Sequence, residues 1–136
     1  MIRVLFTAFL FLTLSCGEEP PVSAIEKFLE GRYGLFAEVE EVRVLTTVKI
    51  DENTYFAQVK YGLRFKRNLW EIEKEIRERL KLADLYKNPA PFVSAVVLNE
   101  LIRRCGRSYI ERGRTCYMTD NLELTRIRGE WVVRGF

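Results

Sequence analysis

The chain contains no histidine in 136 residues. The commonest general base and metal ligand is therefore missing, which excludes Ser-His-Asp and Cys-His catalysis and every histidine-based metal centre. Its three cysteines, Cys16, Cys105 and Cys116, form no C-x-x-C pair. Thiol exchange of the thioredoxin type, zinc binding by such pairs and haem attachment through C-x-x-C-H are excluded with it. No apolar run reaches the roughly 20 residues that a membrane-crossing helix needs, and no internal repeat or low-complexity block is present. Neither sign of charge dominates, with 22 Lys and Arg against 19 Asp and Glu. That balance does not suit a nucleic-acid-binding surface. Glutamine occurs once, at Gln58, and charged residues make up 30% of the chain, a composition that leans toward a thermostable protein.

What is present starts at the N-terminus. Met1-Ile2-Arg3 leads into an uncharged run, Val4 to Ser15, followed by Cys16-Gly17-Glu18-Glu19-Pro20-Pro21. A positive start, an apolar stretch and a small residue before the cut are the parts of an export signal. Thr13-Leu14-Ser15-Cys16 resembles the lipobox of the bacterial lipoprotein class. Ser15 and Cys16 match it, whereas Thr13 stands where leucine is usual and Leu12 lies one residue earlier. The resemblance covers residues 1–21 only. It implies a diacylglyceryl thioether on the Cys16 sulfur, cleavage before that residue and, usually, acylation of the new amino group. Two or more acyl chains, at about 0.8 kcal/mol per buried methylene, anchor a protein stably. No other cofactor is expected.

On this reading residues 1–15 are a signal peptide, 16–22 a lipidated tether and 23–136 a single domain. The domain would face the periplasm from the inner or outer membrane; Gly17, which is not acidic, implies the outer one in two-membrane bacteria. The alternatives are an ordinary secretory signal cut nearby and a buried N-terminal helix of a cytosolic protein. Gly17 to Pro21, extended at about 3.1 Å per residue, spans only about 16 Å. Removing the first 15 residues leaves 121 and takes away Arg3, so 21 basic residues face 19 acidic ones. A domain of that size buries about two-thirds of its surface.

Along the domain, Ser23-Ala24-Ile25-Glu26 reads as a capping box, and Ile25, Phe28 and Leu29 follow at helical spacing before Gly31 and Gly34. Val42, Val44, Val48 and Ile50 then alternate with polar residues, as do Tyr55, Ala57, Val59, Tyr61, Leu63 and Phe65 after a turn at 51–54. This predicts an antiparallel hairpin with one apolar face. A phase shift between Val39 and Val42 predicts a bulge. Asn68 with Glu71 starts a second helix bearing the stripe Leu69, Ile72, Ile76, Leu80 and Ala83, with Glu73–Arg77 and Glu75–Arg79 as ion pairs. Pro89 and Pro91 end it. Phe92 to Arg104 suits a third helix, although Val93, Val96 and Val97 would also suit a strand. Cys116 to Ile127 and Trp131 to Phe136 complete a second hairpin around Arg128-Gly129-Glu130.

The expected fold class is α+β, an antiparallel sheet with helices packed on one face in the order α-ββ-αα-ββ. That order, with Gly129-Glu130-Trp131-Val132-Val133 near the end, loosely resembles the NTF2-like and cystatin-like domains. Two consecutive helices in the middle depart from their helix-first order.

Six groups of residues bear on function. Cys16 is the lipidation site. Cys105 and Cys116, in an exported protein, suit a disulfide worth about 3 kcal/mol for a loop of about 12 residues, the alternative being two separate thiols. Arg103, Arg104, Arg107, Arg112 and Arg114 face the lone Glu111 and could bind an anionic lipid headgroup or an acidic envelope protein. The bland alternative is a solvated loop. Tyr55, Tyr61 and Phe65 could line an apolar pocket or simply fill the core. Phe56 and Trp70 fall outside the inward stripes and could mark a contact surface. Glu38, Glu40, Glu41, Asp51, Glu52 and Asp120 would support two-carboxylate catalysis only if two of them met in one cleft. The sequence thus suggests a non-enzymatic, lipid-anchored binding or scaffolding domain without catalytic or metal residues. A small apolar-ligand carrier is the alternative, and a carboxylate enzyme the third reading.

Overall fold

The computed structural model of the chain describes residues 19–82, 84 and 86–135. Cys16 and the expected signal peptide, Ala83 of the second helical stripe and Phe136 of the last strand lie outside these residues. The elements are α1 (Val22–Tyr33), β1 (Ala37–Asp51), β2 (Thr54–Phe65), α2 (Leu69–Lys81), α3 (Ala90–Cys105), a single 3-10 turn at Arg107–Tyr109, β3 (Thr115–Ile127) and β4 (Glu130–Gly135). The four strands form one antiparallel sheet in the order β1-β2-β3-β4. All three helices pack on one of its faces, giving the α+β class and the α-ββ-αα-ββ order.

Alternation along β2 decides which face is covered. Tyr55, Ala57, Val59, Tyr61, Leu63 and Phe65 are buried, and Phe56, Gln58 and Arg64 between them are exposed. On β3, Leu124, Leu122, Met118 and Cys116 stand opposite Tyr55, Ala57, Tyr61 and Leu63, and are buried with them. The helices close this layer with Ile25, Leu29 and Tyr33 from α1, Leu69, Ile72 and Ile76 from α2, and Val97, Leu98 and Leu101 from α3. Each such side chain, fully buried, contributes about 1.5–3 kcal/mol before its ordering entropy is subtracted.

Three local expectations are corrected. Helix α1 starts two residues early, at Val22, with Pro21 in an extended conformation at its cap and no side-chain cap bond. Ser23 is therefore inside the helix, and its box with Glu26 does not form; Gly31 is also internal, the helix ending at Gly34. In β1 the even-numbered apolar residues do not share one face. A register shift between Val44 and Thr46 sets Thr46 opposite Gln58 and Val48 opposite Phe56, on the face without helices. An extra residue in one strand turns every later side chain over. Glu73, finally, accepts from Arg107 of the 3-10 turn at 2.8 Å rather than pairing with Arg77.

Other features follow the sequence. The phase shift near Val42 is a bulge between Glu40 and Arg43, with Glu41 in the left-handed region at φ 53°. Glu71 accepts from the Asn68 backbone N–H at 3.3 Å, forming the second helix's capping box. Residues 90–105 are helical rather than extended, because Val97, Leu98 and Leu101 face the core while Val93 and Val96 face solvent. Glu75 joins Arg79 at 2.6 Å and is also held by Arg67.

Two stability measurements test these assignments. Arg128 and Gly129 both take positive φ, 53° and 80°, in the two-residue turn between β3 and β4, a geometry that favours Asn-Gly. Arg128→Asn is expected to raise stability by about 0.5 kcal/mol, read as a higher urea midpoint. The Arg67 hydrogen bond, ahead of the partly opposing effect of burial, holds the Glu75 carboxyl below its ordinary 4.5. Its contribution is therefore full above about pH 5 and lost as pH falls through the lowered folded-state value. Between pH 6 and pH 3 the wild type should lose more stability than Glu75→Gln, and equal losses would contradict the pairing.

Candidate functional site

The disulfide fixes the geometry around the candidate site. Cys105, the last residue of α3, is bonded to Cys116, the second residue of β3, with their Cα atoms 6.0 Å apart. Leu63 of β2 stands opposite Cys116, so the bridge pins the end of a helix to the central strand pair. One residue back along α3, Arg104 reaches β3 beside the bridge. It donates to Asp120 Oδ1 at 2.5 Å, to the Thr119 carbonyl at 3.3 Å and to Glu100 at 3.5 Å.

From this pair a chain of polar contacts crosses to α1. The Tyr61 hydroxyl donates to Asp120 Oδ2, and Arg32 of α1 donates to Glu100 and, at 3.3 Å, to the Tyr33 hydroxyl. The rings of Tyr33 and Tyr61 lie 6.1 Å apart. Arg32, Tyr33, Glu100, Arg104 and Asp120 line an open cleft of about 490 Å³, together with Leu122 of β3 and Val133 and Arg134 of β4. Arg134 has no carboxylate partner among the described residues, so three guanidinium groups face two carboxylates there.

Three groups of this network are held in their protonated forms. Burial, followed by the hydrogen bond to Asp120, pushes the Tyr61 hydroxyl far above its ordinary value. It stays protonated and acts as a donor. Burial opposes the charge on Arg104, but the hydrogen bond and charge of Asp120 outweigh it and hold the guanidinium pKa above normal. Arg32 is raised on the same balance, through Tyr33 and Glu100. The arrangement can orient an anion or hold helices to the sheet. Each carboxylate is already engaged by a guanidinium, Glu100 by Arg32 and Asp120 by Arg104.

The sequence candidates fare unequally. Cys105 and Cys116 meet. Tyr55, Tyr61 and Phe65 are buried in the core and line none of the cavities described here; only the Tyr61 hydroxyl reaches the cleft network. The five arginines do not form one anion site. Arg104 is spent on Asp120, Arg107 bonds Glu73, Arg112 Nε donates to the Lys66 carbonyl, and Arg114 stacks on Tyr109 at 4.8 Å and bonds the Ser108 carbonyl. Arg103 alone of the five is exposed with neither a side-chain hydrogen bond nor an ion pair among the described residues. Asp120 is the one carboxylate of the sequence set that enters the cleft. Arg32, Tyr33 and Glu100 were not singled out by sequence, because their partners lie on other elements. The charged pair Glu100–Arg104, four apart on one helix, was the available signal.

Phe56 and Trp70 are both exposed. Phe56 shares a shallow cavity of about 460 Å³ on the helix-free face with Val48, Thr46 and Asn121. Among the described residues no cluster of three or more acidic or cysteine ligands could hold a metal ion, and no helix is long and apolar enough to cross a membrane.

Removing the carboxylate at the centre of the network tests its role. Asp120→Ala strips the Tyr61 hydroxyl and Arg104 of their shared acceptor, and is expected to cost about 2–3 kcal/mol in urea unfolding. Asp120→Asn, which keeps an acceptor, should cost about half as much. No protein-family model matches the chain, and neither a curated protein nor a solved structure is significantly similar to it.

Proposed function

We propose that this is an exported, lipid-anchored envelope protein whose α+β domain binds or scaffolds a neighbour close to the membrane. The observation that carries the reading is the Cys105–Cys116 disulfide. Such pairing belongs to oxidising compartments, and it leaves Cys16 as the one further cysteine, directly behind an apolar run and a small residue. Acylation there would hold the domain by a tether that ends where α1 begins, at Val22. The domain itself we read as distantly like the NTF2-like and cystatin-like arrangements, with the α2–α3 pair as its own insertion. A binding role is supported over catalysis by the cleft chemistry, in which both carboxylates are already engaged. A second reading, a carrier of small apolar ligands, is favoured by the open groove between α1 and α3.

The anchor is tested by Cys16→Ser in a cell that processes lipoproteins. The wild-type chain should begin at Cys16 and carry a mass increment for diacylglycerol and an amide-linked acyl group, and should pellet with membranes. The variant should lose the increment and the cleavage. A variant that remains uncut and unmodified yet holds to membranes as firmly as wild type would sink the proposal.

A further inference from the structure

Helix α1 carries a glycine where a helix gains nothing from one. Gly31 is internal to the helix, and a methyl group built on it meets nothing within 4 Å. Glycine there lowers helix stability relative to alanine, and no neighbouring atom requires it. What lies beside Gly31 is open space, part of a groove of about 810 Å³ between α1, the connection to β1 and the first half of α3. That volume is within the range of small-molecule sites.

The walls of the groove indicate what would fill it. Phe28, Leu35, Val93 and Val97 form its apolar surface, with Val93 58% and Leu35 41% exposed. Lys27, Arg32 and Arg79 are its charged lining residues, and no carboxylate lines it. Arg32 and Arg79 are answered from outside by Glu100 and Glu75. Lys27 has no ion-pair partner among the described residues, so the groove keeps a surplus positive charge. An apolar wall, an unanswered ammonium and a helix backbone bared at glycine suit one hydrocarbon chain with an anionic end.

We propose that this groove binds a long-chain fatty acid, its chain laid along Phe28, Gly31, Val93 and Val97 and its carboxylate drawn to Lys27. The site is independent of acylation at Cys16 and stands if that assignment fails. The test uses the full chain carrying Cys16→Ser, labelled with a photoactivatable palmitate analogue. Saturable labelling is expected on peptides containing Phe28 and Val93, competed by palmitate far better than by hexadecanol. Gly31→Leu should weaken binding by about tenfold or more while the melting temperature holds or rises, because leucine is the better helix former. Val93→Glu, at an exposed position, should also abolish labelling, and serves if Gly31→Leu fails to fold. Diffuse labelling, labelling indifferent to both variants, or equal competition by hexadecanol would overturn the proposal. So would self-association lost in Val93→Glu without fatty-acid labelling, which would make the occupant a second copy of the chain.

Discussion

The fold depends on returning the chain to β2 after a long excursion. Strands β2 and β3 are neighbours in the sheet, yet residues 66–114, with two helices and a 3-10 turn, lie between them. Closing so long a loop costs entropy that short hairpins avoid. The register is recovered at its mouth, where Gly113 donates to the Phe65 carbonyl at 2.8 Å and Phe65 donates to the Arg114 carbonyl at 2.9 Å. The Cys105–Cys116 bridge then ties α3 to the start of β3, and Arg104–Asp120 repeats the connection four residues further along that strand. A covalent tie and a charged one thus act on the same helix end. The first sets how far α3 can drift, and the second sets its rotation.

That constraint explains where the positive charge goes. The arginines around the disulfide loop look in sequence like a surplus awaiting an anion. In the fold each finds an internal acceptor, Arg103 excepted. Arg107 reaches back to α2, Arg112 to the carbonyl of Lys66 and Arg114 to the loop's own backbone. The loop's cations serve to hold the excursion closed. Most of these contacts are exposed and individually weak; Arg104–Asp120, with Tyr61 beside it, is the better shielded one.

The legibility of this fold in its sequence varies with how far an interaction reaches. The alternation from Tyr55 to Phe65 was readable because β2 is a central strand with one covered face, so period and burial agree at every position except Gly62, which is buried on the other face. The last part of β1 was not. Val48 and Ile50 have the right residue type for the core, but the irregularity at Leu45 reverses the face, and unlike the bulge near Val42 it breaks no alternation of residue type, since Val44, Val48 and Ile50 all keep to even positions. The Asn68–Glu71 box was readable since both partners lie within one turn, whereas Ser23–Glu26 carried the same pattern and yielded to Pro21, whose fixed φ suits the residue before a helix. The polar cleft was illegible for a plainer reason. Arg32 meets Glu100 from 68 residues away and Tyr61 meets Asp120 from 59, and no spacing rule reaches so far.

Two residues join the two concave surfaces. Arg32 lines both the cleft toward β4 and the groove toward α3, as does Phe28. Its guanidinium is committed to Glu100, which also accepts from Arg104. An anion entering the groove and drawing on Arg32 would have to outcompete Glu100, and would leave that carboxylate to Arg104 alone. Lys27 has no such prior commitment. Anion affinity in the groove should therefore rest on lysine rather than on the arginine, and an anion held through Lys27 leaves α1 fastened to α3 through Arg32. Helix α1 can then offer one face to a ligand while the other keeps its hold on the fold.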